Sequence, residues 1–227
     1  GYTYDLAGNR LSKTDTLEGL STYKYDANNR LEKLTQGAKV TNFTYDNNGS
    51  LRRRSDGAQT VTYDWINDGE NRLIGVTSLS TSGTSQQQYI YDAFGSRVAS
   101  ISDGVRTNYL SAPIWNLPEV LMEYDASGQV TADYTHGVGL VRARRSGREG
   151  FYHTDGLGST RVITDTVGLI TDRYTYDAFG VLLNQNGTFG NSFQFAGEQR
   201  DGATGLDYLR ARYYEPSLGR FISKDAY

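Results

Sequence analysis

The chain has 227 residues, with 23 Lys and Arg against 26 Asp and Glu; a net charge of −3 supplies no basic field for gripping phosphates and argues against nucleic acid as a partner. Cysteine is absent, which excludes a disulfide framework, a thiolate metal site and a cysteine nucleophile, and no run of about 18 apolar residues offers a membrane-spanning helix. Eighteen Tyr and 26 Gly beside three Pro and one Met favour pleated strands joined by turns that need positive φ, so the expected fold class is all-β.

Gly1 opens in mid-pattern without a signal peptide, and the sequence reads as a piece of a longer chain. One phrase then recurs seven times, an apolar residue, a spacer and Tyr-Asp, ending at Tyr4-Asp5, Tyr25-Asp26, Tyr45-Asp46, Tyr63-Asp64, Tyr91-Asp92, Tyr124-Asp125 and Tyr176-Asp177. The first four tyrosines follow one another at 21, 20 and 18 residues, which is hairpin length. Residues two apart share a strand face, so each Tyr and the apolar residue before it should point one way, and the spacer the other. The Asp should then end the strand by accepting backbone N–H bonds, with Gly or Asn supplying the left-handed turn residue. Leu11, Leu31, Leu51, Val98, Val130 and Val181-Leu182-Leu183 begin the returning strands. Asp56-Gly57, Asp103-Gly104, His136-Gly137 and Asn186-Gly187 mark turns between hairpins.

Residues 1–110 are therefore expected to be successive hairpins covering one another's tyrosine face in a twisted, spiralling sheet. At Ser111-Ala112-Pro113-Ile114-Trp115-Asn116-Leu117-Pro118 two prolines predict a loop or edge segment; a further hairpin and an Arg- and Gly-rich connection complete residues 111–150. Residues 151–227 use a different vocabulary and read as a distinct module.

The phased Tyr-Asp hairpins, with Asn-Arg-Leu at 9–11, 29–31 and 71–73, resemble the YD repeat of RHS proteins. The last module resembles the RHS repeat-associated core domain through the phrase 152–161, which holds Asp155, Gly158 and Arg161; through Gly180 and Gly197; through Arg212-Tyr213-Tyr214; and through Gly219-Arg220-Phe221 with Asp225. This resemblance covers essentially the whole chain. It implies a hollow, cocoon-like shell, as in toxin-complex C components, polymorphic RHS toxins and teneurins. It further implies a secreted or cell-surface bacterial location, a C-terminal polypeptide toxin as cargo, and a partner shell or delivery protein. The family's self-cleavage segment has no counterpart up to Lys224-Asp225-Ala226-Tyr227, so no catalytic residue is carried over, and the fragment is not expected to act as an enzyme.

The repeated aspartates could be imagined as paired acids for glycoside hydrolysis, but a recurring turn context favours turn formers. Calcium loops lack the spacing and closing Glu, and His136 and His153 are the only histidines, so no metal or other cofactor is expected. His153 is expected to bond within its turn. The tyrosine stripe reads as a packing ladder ahead of a sugar-stacking surface. Arg52-Arg53-Arg54 and Arg142, Arg144, Arg145 and Arg148 read as a solvated or salt-bridged surface. Ser159, Ser223 and Gly156-x-Gly158 support neither a nucleophile nor a phosphate loop. Encapsulation of a toxin is thus the leading expectation. Adhesion through glycans is one alternative, and a scaffold for an autoproteolytic aspartyl site completed beyond Tyr227 is another.

Overall fold

Eight aspartates reverse the chain in one and the same way: Asp5, Asp26, Asp46, Asp92, Asp125, Asp155, Asp165 and Asp177. Each donates its N–H to the carbonyl four residues on and accepts at its own carbonyl the N–H three residues on. Each carboxylate also accepts the N–H groups two and four residues on, as at Asp26 from Asn28 and Arg30, and at Asp177 from Phe179 and Val181, all at 2.8–2.9 Å. The third residue after each aspartate has positive φ, Gly in seven turns and Asn29 in the other, the conformation that favours these residue types. Asp155 and Asp165 turn without a preceding tyrosine; the Asp-x-x-Gly spacing alone marks them.

The computed structural model describes all residues except 17, 67–69, 115–116 and 226–227. The chain divides into two compact units, Gly1–Gln86 with Ser223–Tyr227, and Gln87–Ile222. The first contains β1 (Tyr2–Tyr4), β2 (Arg10–Asp15), β3 (Gly19–Tyr25), β4 (Leu31–Gln36), β5 (Lys39–Tyr45), β6 (Leu51–Ser55), β7 (Gln59–Ile66) and β8 (Arg72–Ser80). Each of these pairs antiparallel with the next. β9 (Gly83–Tyr91) crosses the boundary. The second unit continues with β10 (Arg97–Ser102), β11 (Val105–Ile114), β12 (Leu117–Tyr124), β13 (Val130–His136), β14 (Leu140–Arg145), β15 (Arg148–Thr154), β16 (Thr160–Thr164), β17 (Ile170–Tyr176) and β18 (Leu182–Asn186), again paired in order. A small antiparallel sheet follows: β19 (Gln199–Arg200), β20 (Asp207–Leu209), β21 (Arg212–Glu215) and β22 (Arg220–Phe221). Among the described residues the fold is all-β, apart from one 3-10 turn at Phe195–Gly197.

Tyr23, Phe43, Tyr89 and Tyr174 are buried, while the spacers Lys24, Thr44 and Thr175 are exposed, as the two-residue period requires. In two of the repeats the phenol also makes a bond that Phe could not. Tyr25 donates to the Arg10 carbonyl at 3.0 Å and Tyr45 to the Leu31 carbonyl at 3.1 Å, each reaching back to the preceding hairpin. On the turn side, Asn9 donates to Asn29 at 2.8 Å and Asn48 to Asn71 at 3.1 Å, so successive turns are stitched along one edge.

Four expectations are corrected. Tyr63-Asp64 is not a turn-ending pair: Asp64 lies inside β7, and Trp65 occupies the tyrosine place, donating its indole N–H to the Leu51 carbonyl at 2.7 Å. The registers agree, with Trp65 opposite Leu73 just as Tyr25 lies opposite Leu31, each beside a register shift. In β12 the phase inverts, so Met122 is 39% exposed and Glu123 5%, because Glu123 meets Arg145 at 2.7 Å and the Tyr134 phenol at 2.8 Å. Of the segment expected to be irregular, residues 111–114 and 117–118 are strand: Pro113 pairs opposite Pro118 between β11 and β12. β10 covers β11 only at Val105–Asn108, and β13 covers β12 only at Met122–Tyr124; in that two-stranded extension a proline nitrogen turned outward costs no ladder bond. Trp115 and Asn116, assigned to the same loop, lie outside the described residues. Finally, Asn186-Gly187 is no hairpin turn, for the chain leaves the sheet there.

Candidate functional site: a closing module on the tyrosine face

Leaving the sheet requires a backbone that fits against it. Gly187 has φ +122, and a Cβ there would stand 2.2 Å from Asp172 Oδ1, so only glycine passes. Asp172, 1% exposed, in turn accepts the Phe189 N–H at 3.0 Å and fixes the exit. Phe189 and Phe193 then pack among Tyr134, Ile163 and Tyr174, where the small residues Ala132 and Ala143 make room for their rings. Each ring stabilises the seat by about 2–3 kcal/mol of apolar burial. At the next step Gly180 has φ +89, and a Cβ there would lie 2.5 Å from the Phe195 ring. The Gly197 backbone likewise rests on the Gly158 carbonyl.

The centre of this seat is Arg97, 4% exposed. It stands five residues after Asp92, the place that Leu31 and Leu51 fill in the first unit. Its guanidinium lies 4.1 Å from the Tyr208 ring centroid, 5.1 Å from Tyr109, 5.5 Å from Tyr89 and 5.9 Å from Tyr213. It donates to the Tyr213 phenol at 3.2 Å and to Gln199 Oε1, while the Tyr208 phenol accepts the Arg97 backbone N–H at 3.1 Å. Burial alone would lower the guanidinium pKa, but the phenol oxygens of Tyr213, Tyr109, Tyr89 and Tyr208 outweigh it and hold the cation. Burial pushes the Tyr213 hydroxyl well above its ordinary range. Desolvated cation–π contacts are worth about 2 kcal/mol or more; here they tie β10 to β20 and β21.

Two further ionic groups brace the module. Arg210 bonds both oxygens of Glu198 at 2.8 Å and also Glu119 on β12. Asp207 is 1% exposed; neither of its oxygens has a hydrogen bond, and Arg200 Nε stands 3.5 Å away. Burial raises its carboxyl to about 7, opposed by Arg200 and assisted by Glu215 and Glu198. So sealed an acid cannot reach a substrate, and the arrangement holds elements together.

The core-domain signature residues other than Asp225 lie in the second unit. Asp155 forms its turn and pairs with Arg161 at 3.2 Å, while Arg161 also lies over the Tyr176 ring. Gly158, Gly180 and Gly197 allow the close approaches above. Tyr213 belongs to the Arg97 cage, and Tyr214 donates to the Phe179 carbonyl at 2.9 Å and meets Phe221 edge-on. Arg212 lies 3.7 Å over Phe221, Gly219 closes the β21–β22 turn at φ +67, and Arg220 pairs opposite Glu215. Asp225 is exposed in the other unit. Arg142 and Arg144 pair with Asp133, and Arg145 with Glu123. His153 bonds Thr164 across the strands at 3.0 Å, outside its own turn, which corrects the expectation for it. Arg97 and Asp207 carried no sequence expectation; an Arg five residues after Asp92, at the place held by Leu31 and Leu51 and, in the first repeat, by Arg10, was the available signal.

The Teneurin YD-shell model matches residues 1–227. The tRNA3(Ser)-specific nuclease WapA of Bacillus spizizenii is 37% identical over 142 residues, 60% of this chain and 6% of the relative. Double-stranded DNA deaminase toxin A of Burkholderia cenocepacia is 27% identical over 186 residues, 69% of this chain and 13% of the relative. Human Teneurin-4 is 26% identical over 155 residues, 66% and 6% respectively. The chain thus spans only a small part of each. Among solved structures, TcdB2-TccC3 without its hypervariable C-terminal region superposes with TM-score 0.55 at 19% identity, over 99% of this chain and 15% of that one. The Photorhabdus luminescens Tc holotoxin pore gives 0.55 at 18%, with the same coverage. At these identities the likeness is one of fold.

Proposed function

Because this chain belongs to the Teneurin YD-shell family, we propose that it is a stretch of shell wall with its closing module, part of a secreted or surface bacterial protein that encloses and delivers a C-terminal polypeptide toxin. The observation that carries this is the seat built on Arg97, which fastens a separate small sheet across the tyrosine face. Two relatives are named as a tRNA nuclease and a DNA deaminase toxin, and one fold neighbour was solved without its hypervariable C-terminal region. A shared shell joined to differing C-terminal activities accounts for all three names. Among the described residues no helix is long and apolar enough to cross a membrane, which fits a wall.

On this reading the chain itself is a scaffold and not an enzyme, and it needs no cofactor. Its most perturbed acid, Asp207, is shut away from any substrate. The glycan alternative is disfavoured because Tyr23, Tyr63, Tyr89 and Tyr174 bury the rings that would stack on sugars. Electron microscopy and limited proteolysis of a full-length protein carrying this segment test the proposal. A lumen holding protease-protected C-terminal polypeptide is expected; a solid or open particle whose C-terminal region is digested at once rejects it. Incubation of the 227-residue chain should return a single unchanged mass, and specific self-cutting would reject the scaffold reading.

A further inference from the structure

The start of β12, the β13–β14 and β15–β16 turns and the 3-10 turn border a cleft of about 650 Å3 beside the closing module, within the range of ligand pockets. Ile114, Leu117 and Val141 contribute apolar wall, and Val138 stands fully exposed at the rim. At its polar end two carboxylates, Glu119 and Glu198, share the single guanidinium of Arg210. Arg210 adopts φ +59 as the first residue of the two-residue β20–β21 turn, and from there its cation reaches both carboxylates.

What the cleft can still bond is decided by which valences are already used. Apart from the Thr154 hydroxyl, its side-chain donors are spent within the protein: Arg210 on Glu119, Glu198 and the Pro118 carbonyl, Tyr152 on Asn191 at 2.8 Å, and Thr160 on the Phe193 carbonyl at 2.7 Å. Its acceptors are in excess. A carboxylate has about four lone-pair sites, and Arg210 occupies only part of those of the two glutamates. His136 Nε2 lies 2.9 Å from the Val120 carbonyl, which can only accept, so the ring donates there and the neutral ring keeps Nδ1 as an acceptor. Glu119, Glu198 and Asp155 stand against Arg210, two negative charges in excess among the lining side chains, of which Asp155 is paired with Arg161 outside the cleft. A fitting ligand must bring donors, positive charge and apolar surface together.

We propose that this cleft is a binding slot for an extended polypeptide segment in which a lysine or arginine, held by Glu119 and Glu198, is flanked by apolar residues lying against Leu117 and Val141. That the natural segment belongs to an enclosed cargo rests on the reading under Proposed function; the slot itself does not.

Fluorescence anisotropy with the 227-residue chain and fluorescein-labelled Ala-Leu-Lys-Leu-Ala-amide tests it. Binding with Kd at or below about 1 mM is expected. The counterpart with Glu in place of Lys, and the one with Ser in place of both Leu, should each bind at least about fivefold more weakly. Glu119→Gln should weaken the lysine peptide by a similar factor. Val138→Lys, at an exposed turn tip where folding is indifferent to it, should do the same by placing a cation at the rim. Equal binding of the lysine and glutamate peptides, no change in either variant, or no binding at all overturns the slot. A lumen seen by microscopy without peptide binding would leave the shell standing and the slot rejected; binding without a lumen would do the reverse.

Discussion

The carboxyl of Asp207 makes a quantitative demand on the closing module. Its folded pKa of about 7 lies above the unfolded value of 3.8 because burial disfavours the charged form. Below both values the group is protonated in either state and has no effect on stability. Between them the folded state alone holds the proton, so stability falls as pH rises through this window, and above about 7 the full penalty persists. The difference corresponds to roughly 4 kcal/mol at alkaline pH, of which about 2–3 kcal/mol is lost between about pH 5 and about pH 8. Asp207→Asn removes the titration, and Arg200 keeps its bonds to the Gly180 and Gly205 carbonyls at 3.3 and 3.1 Å. Hydrogen exchange of the β20 and β21 amides, corrected for intrinsic rates, should show protection falling with pH in the parent and staying nearly level in the variant. Equal, level profiles in both would refute a buried acid forced to ionise at this position.

Gly180→Ala should destabilise the second unit by more than about 2 kcal/mol, through both positive φ and collision with Phe195, as read by chemical denaturation. Arg97→Met should cost about 3 kcal/mol and release β19–β22 to faster exchange, because it removes the cation and leaves Tyr213 and Gln199 without it. Asp177→Ala should cost about 1–2 kcal/mol through two lost backbone bonds, whereas Asp64→Ala, with its exposed mid-strand side chain, should stay within about 0.5 kcal/mol. Trp65→Tyr should be nearly tolerated, restoring the residue of the other repeats, against about 3–5 kcal/mol for Trp65→Ala.

Much of the first unit was legible because its physics is local. An aspartate that accepts its own turn's N–H groups, and a Gly or Asn three residues on, act within six residues of chain, and spacing reveals them. Register was less legible. Counting from the aspartate would have shown Arg10 and Leu31 to be equivalent, so that Leu11, 42% exposed, is one place out of phase with buried Leu31. At Tyr63-Asp64 a pattern match prevailed over the count, and Trp65 was missed. The inversion at Met122-Glu123 depends on Arg145, which lies 22 residues further on; no window along one strand contains it. The seat on Arg97 is farther still from local reading, since its partners Tyr208 and Tyr213 follow it by more than a hundred residues. There the family phrases include Tyr213 but neither Arg97 nor Tyr208.

The stitched turns also set where such a chain can vary. In the first unit the aspartate bends and their asparagine contacts form a fixed baseline, and hairpins rise from it to different heights, with β6 five residues long and β8 nine. Residues gained or lost at the opposite tips leave that baseline untouched, whereas a single residue inserted between an aspartate and its glycine would break the turn and its asparagine bond to the neighbouring turn. Length polymorphism in this architecture should therefore be one-sided, gathered at the tips opposite the aspartates.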